Sequence, residues 1–65
     1  MWYIHYKMRG VAGVHSVNNR QVAIEQACDL LDAGAEVSGI EHRDGLIGIS
    51  ADTIRLHWAE RKAKK

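Results

Sequence analysis

The chain has 65 residues, of which 46% are apolar and 26% charged, with nine Lys and Arg against eight Asp and Glu. That length excludes two independently stable domains, and the near-neutral balance excludes the strong overall positive charge of a typical nucleic-acid-binding domain. Cys28 is the single cysteine, so an internal disulfide and any paired-cysteine zinc motif are excluded.

The first element is a strand. Trp2, Ile4, Tyr6 and Met8 alternate with Tyr3, His5, Lys7 and Arg9, the period of two that places one set on each face of a sheet. Arg9-Gly10 turns the chain and residues 11–17 return as a second strand, whose register Gly10 and Gly13 leave open. Asn18 then has the side chain of a helix N-cap, with Gln21 placed for a capping box and Val17 and Val22 for a hydrophobic staple. Ile24, Ala27, Cys28 and Leu31, flanked by Ala23 and Leu30, gather on one side of the helix, with Glu25, Gln26, Asp29 and Asp32 toward the other. Leu31, more than Ile24, is expected to anchor it, and Gly34 to end it in a left-handed conformation.

Residues 35–43 read as a strand, Asp44-Gly45 as a two-residue hairpin turn, and residues 46–50 as the returning strand. In that register Ile40 faces Ile49 and His42 faces Ile47. Val37 shares their face only if the strand bulges near Gly39, and such a bulge is expected. Two patterns compete for the last segment. Thr53 to Trp58 alternates as a strand would, whereas Ser50 as N-cap, Asp52 in the first turn and Ile49 with Ile54 as a staple describe a helix, the favoured reading. Ile54 and Trp58 would hold that helix with Leu56 turned away, and the basic tail at 62–65 is expected to fray. The fold class is therefore α+β: a small antiparallel sheet of two hairpins with a helix between them, β-β-α-β-β, plus a C-terminal helix, all in one domain spanning residues 1–65.

No pattern points to catalysis. Ser16, Ser38 and Ser50 lack a nucleophile-elbow context, and Cys28 lies in the apolar stripe, where a thiol acts as a small buried hydrophobe. The glycines match no phosphate-binding spacing. None of His5, His15, His42 and His57 lies three or four residues from another, and His5 and His15 point to opposite faces of the first hairpin. A protein without enzymatic activity, cofactor or metal is expected. Met1 to Lys7 lack the features of a secretory signal, no apolar run approaches the roughly 20 residues that span a bilayer, and a lone thiol suits a reducing compartment. The expected location is the cytoplasm, without membrane contact.

Three features bear on partners. Trp2, Tyr3 and Tyr6 with Lys7 and Arg9 have the composition of a base-stacking sheet, but alternation divides them and assigns Trp2 and Tyr6 to the core with Ile4 and Met8. Charge is segregated: Glu25, Asp29, Asp32 and Glu36 occupy 21–36 without a basic residue, and Arg55, Arg61, Lys62, Lys64 and Lys65 follow against Glu60 alone. These are either solvated faces or docking surfaces of opposite sign. Finally, a chain this short hides only about 60% of its unfolded surface, so a partner or a second copy is the expected supplement. The candidate protein-interaction residues are Tyr3, His5, Lys7 and Val14 of the uncovered sheet face or Glu25, Asp29 and Asp32 of the acidic helix face, homodimerisation through the sheet being the favoured form. The alternative is a nucleic-acid-binding accessory protein using Arg55, Trp58, Arg61, Lys62, Lys64 and Lys65. The order of elements resembles small bacterial hairpin-helix-hairpin proteins, and small size without an enzyme motif resembles phage-encoded inhibitors of host nucleoprotein defences such as anti-CRISPR proteins. The resemblance implies a regulator or inhibitor of a host complex; no shared motif carries a residue role across.

Overall fold

A computed structural model describes residues 1–42 and 48–64. The elements run β1 (Trp2–Met8), β2 (Val11–Val17), α1 (Arg20–Asp32), β3 (Glu36–His42), β4 (Ile49–Ser50) and α2 (Ala51–Ala63). The strands form one antiparallel sheet in the order β2-β1-β3-β4, so the fold is α+β in the expected sequence of elements. The Asp44-Gly45 turn and the His42–Ile47 pairing lie outside the described residues, but Ile40 does pair with Ile49.

The first hairpin closes on the Met8–Val11 pair. Arg9 at φ 52° and Gly10 at φ 82° are both left-handed, the arrangement whose twist matches that of the flanking strands. Tyr6 faces Gly13, and a Cβ on that glycine would lie 2.7 Å from the Tyr6 ring. The ring therefore lies across the glycine, a cross-strand contact that helps hold a register the glycines alone leave open.

β3 contains the expected bulge. Its ladder with β1 shifts between His5, opposite Gly39, and Tyr6, opposite Val37, leaving Ser38 as the extra residue. Its hydroxyl donates to the His5 carbonyl at 3.3 Å. The bulge turns Val37 to the same face as Ile40, and both are buried.

The cap of α1 falls one residue later than expected. Asn19, not Asn18, accepts from the N–H groups of Gln21 (2.7 Å) and Val22 (3.3 Å). Val17 remains in the sheet opposite Trp2, so Asn18 is used to turn the corner and the extended Asn19 becomes the cap. The capping box and staple lapse with the shift: Val22 becomes the third helical residue and is 41% exposed. At the other end Gly34 is left-handed, and the N–H groups of Ala35 and Gly34 bond the carbonyls of Leu30 and Leu31, closing a Schellman motif. For α2 the cap is as expected, with Ser50 Oγ accepting from Thr53 N–H at 3.2 Å. Ile49 and Ile54, the two halves of its staple, both enter the core.

Both helices lie on the face that carries Ile4, Val37 and Ile40. One cluster joins these to Ala23, Ile24, Ala27 and Cys28 of α1, Ile49 of β4 and Ile54 of α2. Trp2, Tyr6, Val17 and Trp58 pack around it, so Trp2 and Tyr6 belong to the core side, and Leu56 is turned away at 65% exposure. Leu31 is a correction: it is only partly buried at the border, while Ile24 is buried in the cluster. Leu31 lies in the last turn of α1 beside the Schellman turn, whereas Ile24, about two turns earlier, is inside the cluster. Ile54→Ala and Ile4→Ala should each cost about 2 to 5 kcal/mol, and Ile24→Ala should cost more than Leu31→Ala. Urea unfolding midpoints check this order, which a lower midpoint for Leu31→Ala than for Ile24→Ala would reverse.

Candidate functional site

Alternation sends the other half of each strand to the opposite face. There β1 contributes Tyr3, His5 and Lys7, and their register partners are Ser16, Val14 and Ala12 of β2 and Glu41, Gly39 and Glu36 of β3. No second layer covers this face among the described residues. Tyr3 and His5 are half-buried by their neighbours, whereas Val14 is 57% exposed. His5 Nε2 lies 2.9 Å from Glu41 Oε1, which fixes the imidazole along the sheet. Lys7 stands opposite Glu36, so charges of both signs border the apolar centre. Beside His5 is an open depression of about 400 Å³ bordered by Ser38, Gly39, Glu41 and Ser50. Gly39 supplies no side chain to fill it.

The structure thus brings together Tyr3, His5, Lys7 and Val14 of the expected interaction surface. It separates them from Glu25, Asp29 and Asp32, which lie on α1 on the far side of the sheet. Asp29 and Asp32 face α2. Arg61 Nη2 lies 2.8 Å from Asp29 Oδ1 and 3.3 Å from Asp32 Oδ2, and its Nη1 reaches the Glu25 carbonyl at 3.5 Å. Trp58 donates its indole N–H to Asp32 at 2.7 Å, and Lys62 Nζ lies 3.8 Å from the centre of the Trp58 ring. Arg61 of the basic segment is thus docked on Asp29 and Asp32 of the acidic one, with the Trp58 indole beside it. Glu25, Asp29, Glu36, Arg55, Lys62 and Lys64 nonetheless keep exposed side chains, as a solvated face would, and sequence pattern alone does not show that α1 and α2 become neighbours.

Of the nucleic-acid candidates, Trp58 and Arg61 are therefore held in this helix seam, whereas Lys62 is exposed over the Trp58 ring of its own helix, and α2 continues through Ala63, so Lys62 is helical. Arg55 lies 3.8 Å from Asp52 one turn earlier, Lys64 caps the helix, and Lys65 is outside the described residues. Among the described residues no group of three or more His, Cys, Asp or Glu is placed to hold a metal ion, and no helix is long and apolar enough to cross a membrane.

Comparison with protein families, with curated proteins and with solved structures finds no match, so the chemistry of the two surfaces carries the argument.

The seam has two measurable consequences. Trp58→Phe keeps the ring but removes the indole N–H, and should lower stability by about 1 kcal/mol. In a cycle with Asp32→Ala, which removes the accepting carboxylate, the two losses should be less than additive; full additivity would mean that this hydrogen bond contributes nothing. Cys28, 2% exposed under the seam, has its thiol pKa raised by burial, with Arg61 partly opposing the shift. Because the unfolded chain then ionises first, stability is unaffected below the ordinary thiol pKa of about 8.5 and declines as pH rises from there toward the folded value. Cys28→Ala should flatten that decline, measured by urea unfolding between neutral and mildly alkaline pH.

Proposed function

We propose that the protein is a non-enzymatic protein-interaction module, a small regulator or inhibitor, that engages another protein through the open sheet face centred on Tyr3, His5 and Val14. One observation carries the reading: the core cluster and both helices occupy one side of the sheet, while the other presents a tyrosine and an exposed valine ringed by polar and charged residues. An aromatic and aliphatic centre with a polar border is the anatomy of a protein interface. Nucleic acid fits this face less well. Lys7 is offset by Glu36 opposite it, and His5 is engaged by Glu41.

A photocrosslinking residue, p-benzoylphenylalanine, placed at position 3 in cells of the source organism tests this, with the same probe at Arg55 as the contrast. Position 3 should yield a discrete adduct with a different protein, insensitive to nuclease and suppressed by Val14→Glu, and position 55 should not yield it. Nuclease-sensitive adducts from position 55 would replace this reading with the nucleic-acid one. An adduct at position 3 only with a second copy of the chain would overturn the regulator or inhibitor role.

A further inference from the structure

We infer that β2 is a self-pairing edge, through which two copies of the chain join antiparallel about a twofold axis at Val14 into one continuous eight-stranded sheet. This goes beyond the open-face reading: the contact is made by the backbone at the strand's edge, while Val14 at its axis also belongs to the open face.

An exposed strand edge presents unpaired N–H and C=O groups, and natural sheets guard such edges with lysine or other charges, proline, bulges or shortness. The opposite edge of this sheet is β4, two residues long and followed directly by α2. By contrast β2 has seven residues, Val-Ala-Gly-Val-His-Ser-Val, with no lysine, no carboxylate and no proline. Its ladder with β1 is in register throughout, without a bulge. Two of its valines are largely exposed, Val11 at 69% and Val14 at 57%.

The register of self-pairing follows from the hairpin. The pair that closes a two-residue turn exchanges both of its hydrogen bonds, and bonded pairs then alternate along the ladder. Val11, Gly13, His15 and Val17 accordingly direct their backbone groups to β1, and Ala12, Val14 and Ser16 direct theirs outward. A second copy running antiparallel with Val14 opposite its own counterpart sets Ala12 opposite Ser16 and Ser16 opposite Ala12, so all three outward residues meet outward residues. On the open face this places valine against valine and alanine against serine. On the helix face it places Val11 against Val17, and His15 against Gly13, across which the Tyr6 ring lies. No charged residue opposes a like charge at any position, and the exposed Val11 and Val14 gain apolar neighbours. The surface is isologous, as a twofold contact requires, and the axis stands perpendicular to the sheet. Both helical layers then lie on one side and both open faces on the other, adding strand to strand in the manner of β-augmentation.

Sedimentation equilibrium of the full chain over the micromolar range, with amide hydrogen exchange, tests the inference. The chain should show a monomer–dimer equilibrium, with the N–H groups of Ala12, Val14 and Ser16 gaining protection as concentration rises. Val14→Lys puts two ammonium groups across the axis and should weaken the dimer by roughly tenfold or more while leaving the circular dichroism spectrum unchanged. A pair of double variants reads the register on equal backbones. Ala12→Lys with Ser16→Lys opposes like charges twice and should be monomeric, whereas Ala12→Lys with Ser16→Glu opposes unlike charges and should remain dimeric. A monomer at all concentrations would overturn the inference and leave the open-face crosslinks unaffected. A dimer indifferent to Val14→Lys, or equal behaviour of the two double variants, would overturn it by placing the contact elsewhere.

Discussion

The apolar residues of β3, Val37 and Ile40, stand three apart, and a regular strand would send them to opposite faces of the sheet. A core on one side requires an extra residue between them, and the bulge at Ser38 provides it. Much follows from this local irregularity. With Val37 and Ile40 both turned inward, β3 joins Ile4 as a floor on which Ile24, Cys28 and Ile54 close. The same shift places Ser38 and Gly39 beside His5 on the other face, where they border the depression. Building the core on one side and leaving the other side open are a single geometric event.

With one covered face, the chain depends on α2 as much as on α1. The two helices share that face, and their contact is made by groups of opposite sign: Arg61 with Asp29 and Asp32, and the Trp58 indole with Asp32. Ion pairs this exposed contribute little individually, so the anchoring of α2 comes chiefly from Ile54, which is fully buried, with the polar contacts setting its rotation and angle. This gives Asp29, Asp32 and Arg61, three of the segregated charges, partners within the chain. It also directs attention to the sheet's open face and the edge of β2, the surfaces that the packed helices leave untouched.

Much of this was legible from residue order. The first strand, the Arg9-Gly10 turn, the Gly34 stop, the bulge near Gly39 and the Ser50 cap each rest on local stereochemistry: alternation, left-handed turn positions, or a side chain reaching its own helix's N–H groups. The errors were of two kinds. Two adjacent asparagines have equal capping chemistry, and only the pairing of Val17 with Trp2 selects Asn19. Likewise Leu31 and Ile24 sit on the same helical stripe, and their depth depends on where the helix lies over the sheet. Among the candidate residues, Tyr3, His5, Lys7 and Val14 share one sheet face because of period two, whereas no sequence pattern says that Asp29 and Asp32 of the acidic helix adjoin α2.

By itself, then, the sequence determined the elements, their order, and which side of each strand is apolar, because those properties arise within a few bonds or one turn of the chain. Tertiary structure decided that both helices occupy the same face, that Arg61 and Trp58 meet the acidic side of α1, and that β2 lies at the edge of the sheet. These depend on packing between residues about 26 to 36 positions apart, such as Trp58 with Asp32 and Arg61 with Glu25, whose proximity is set by the shared core.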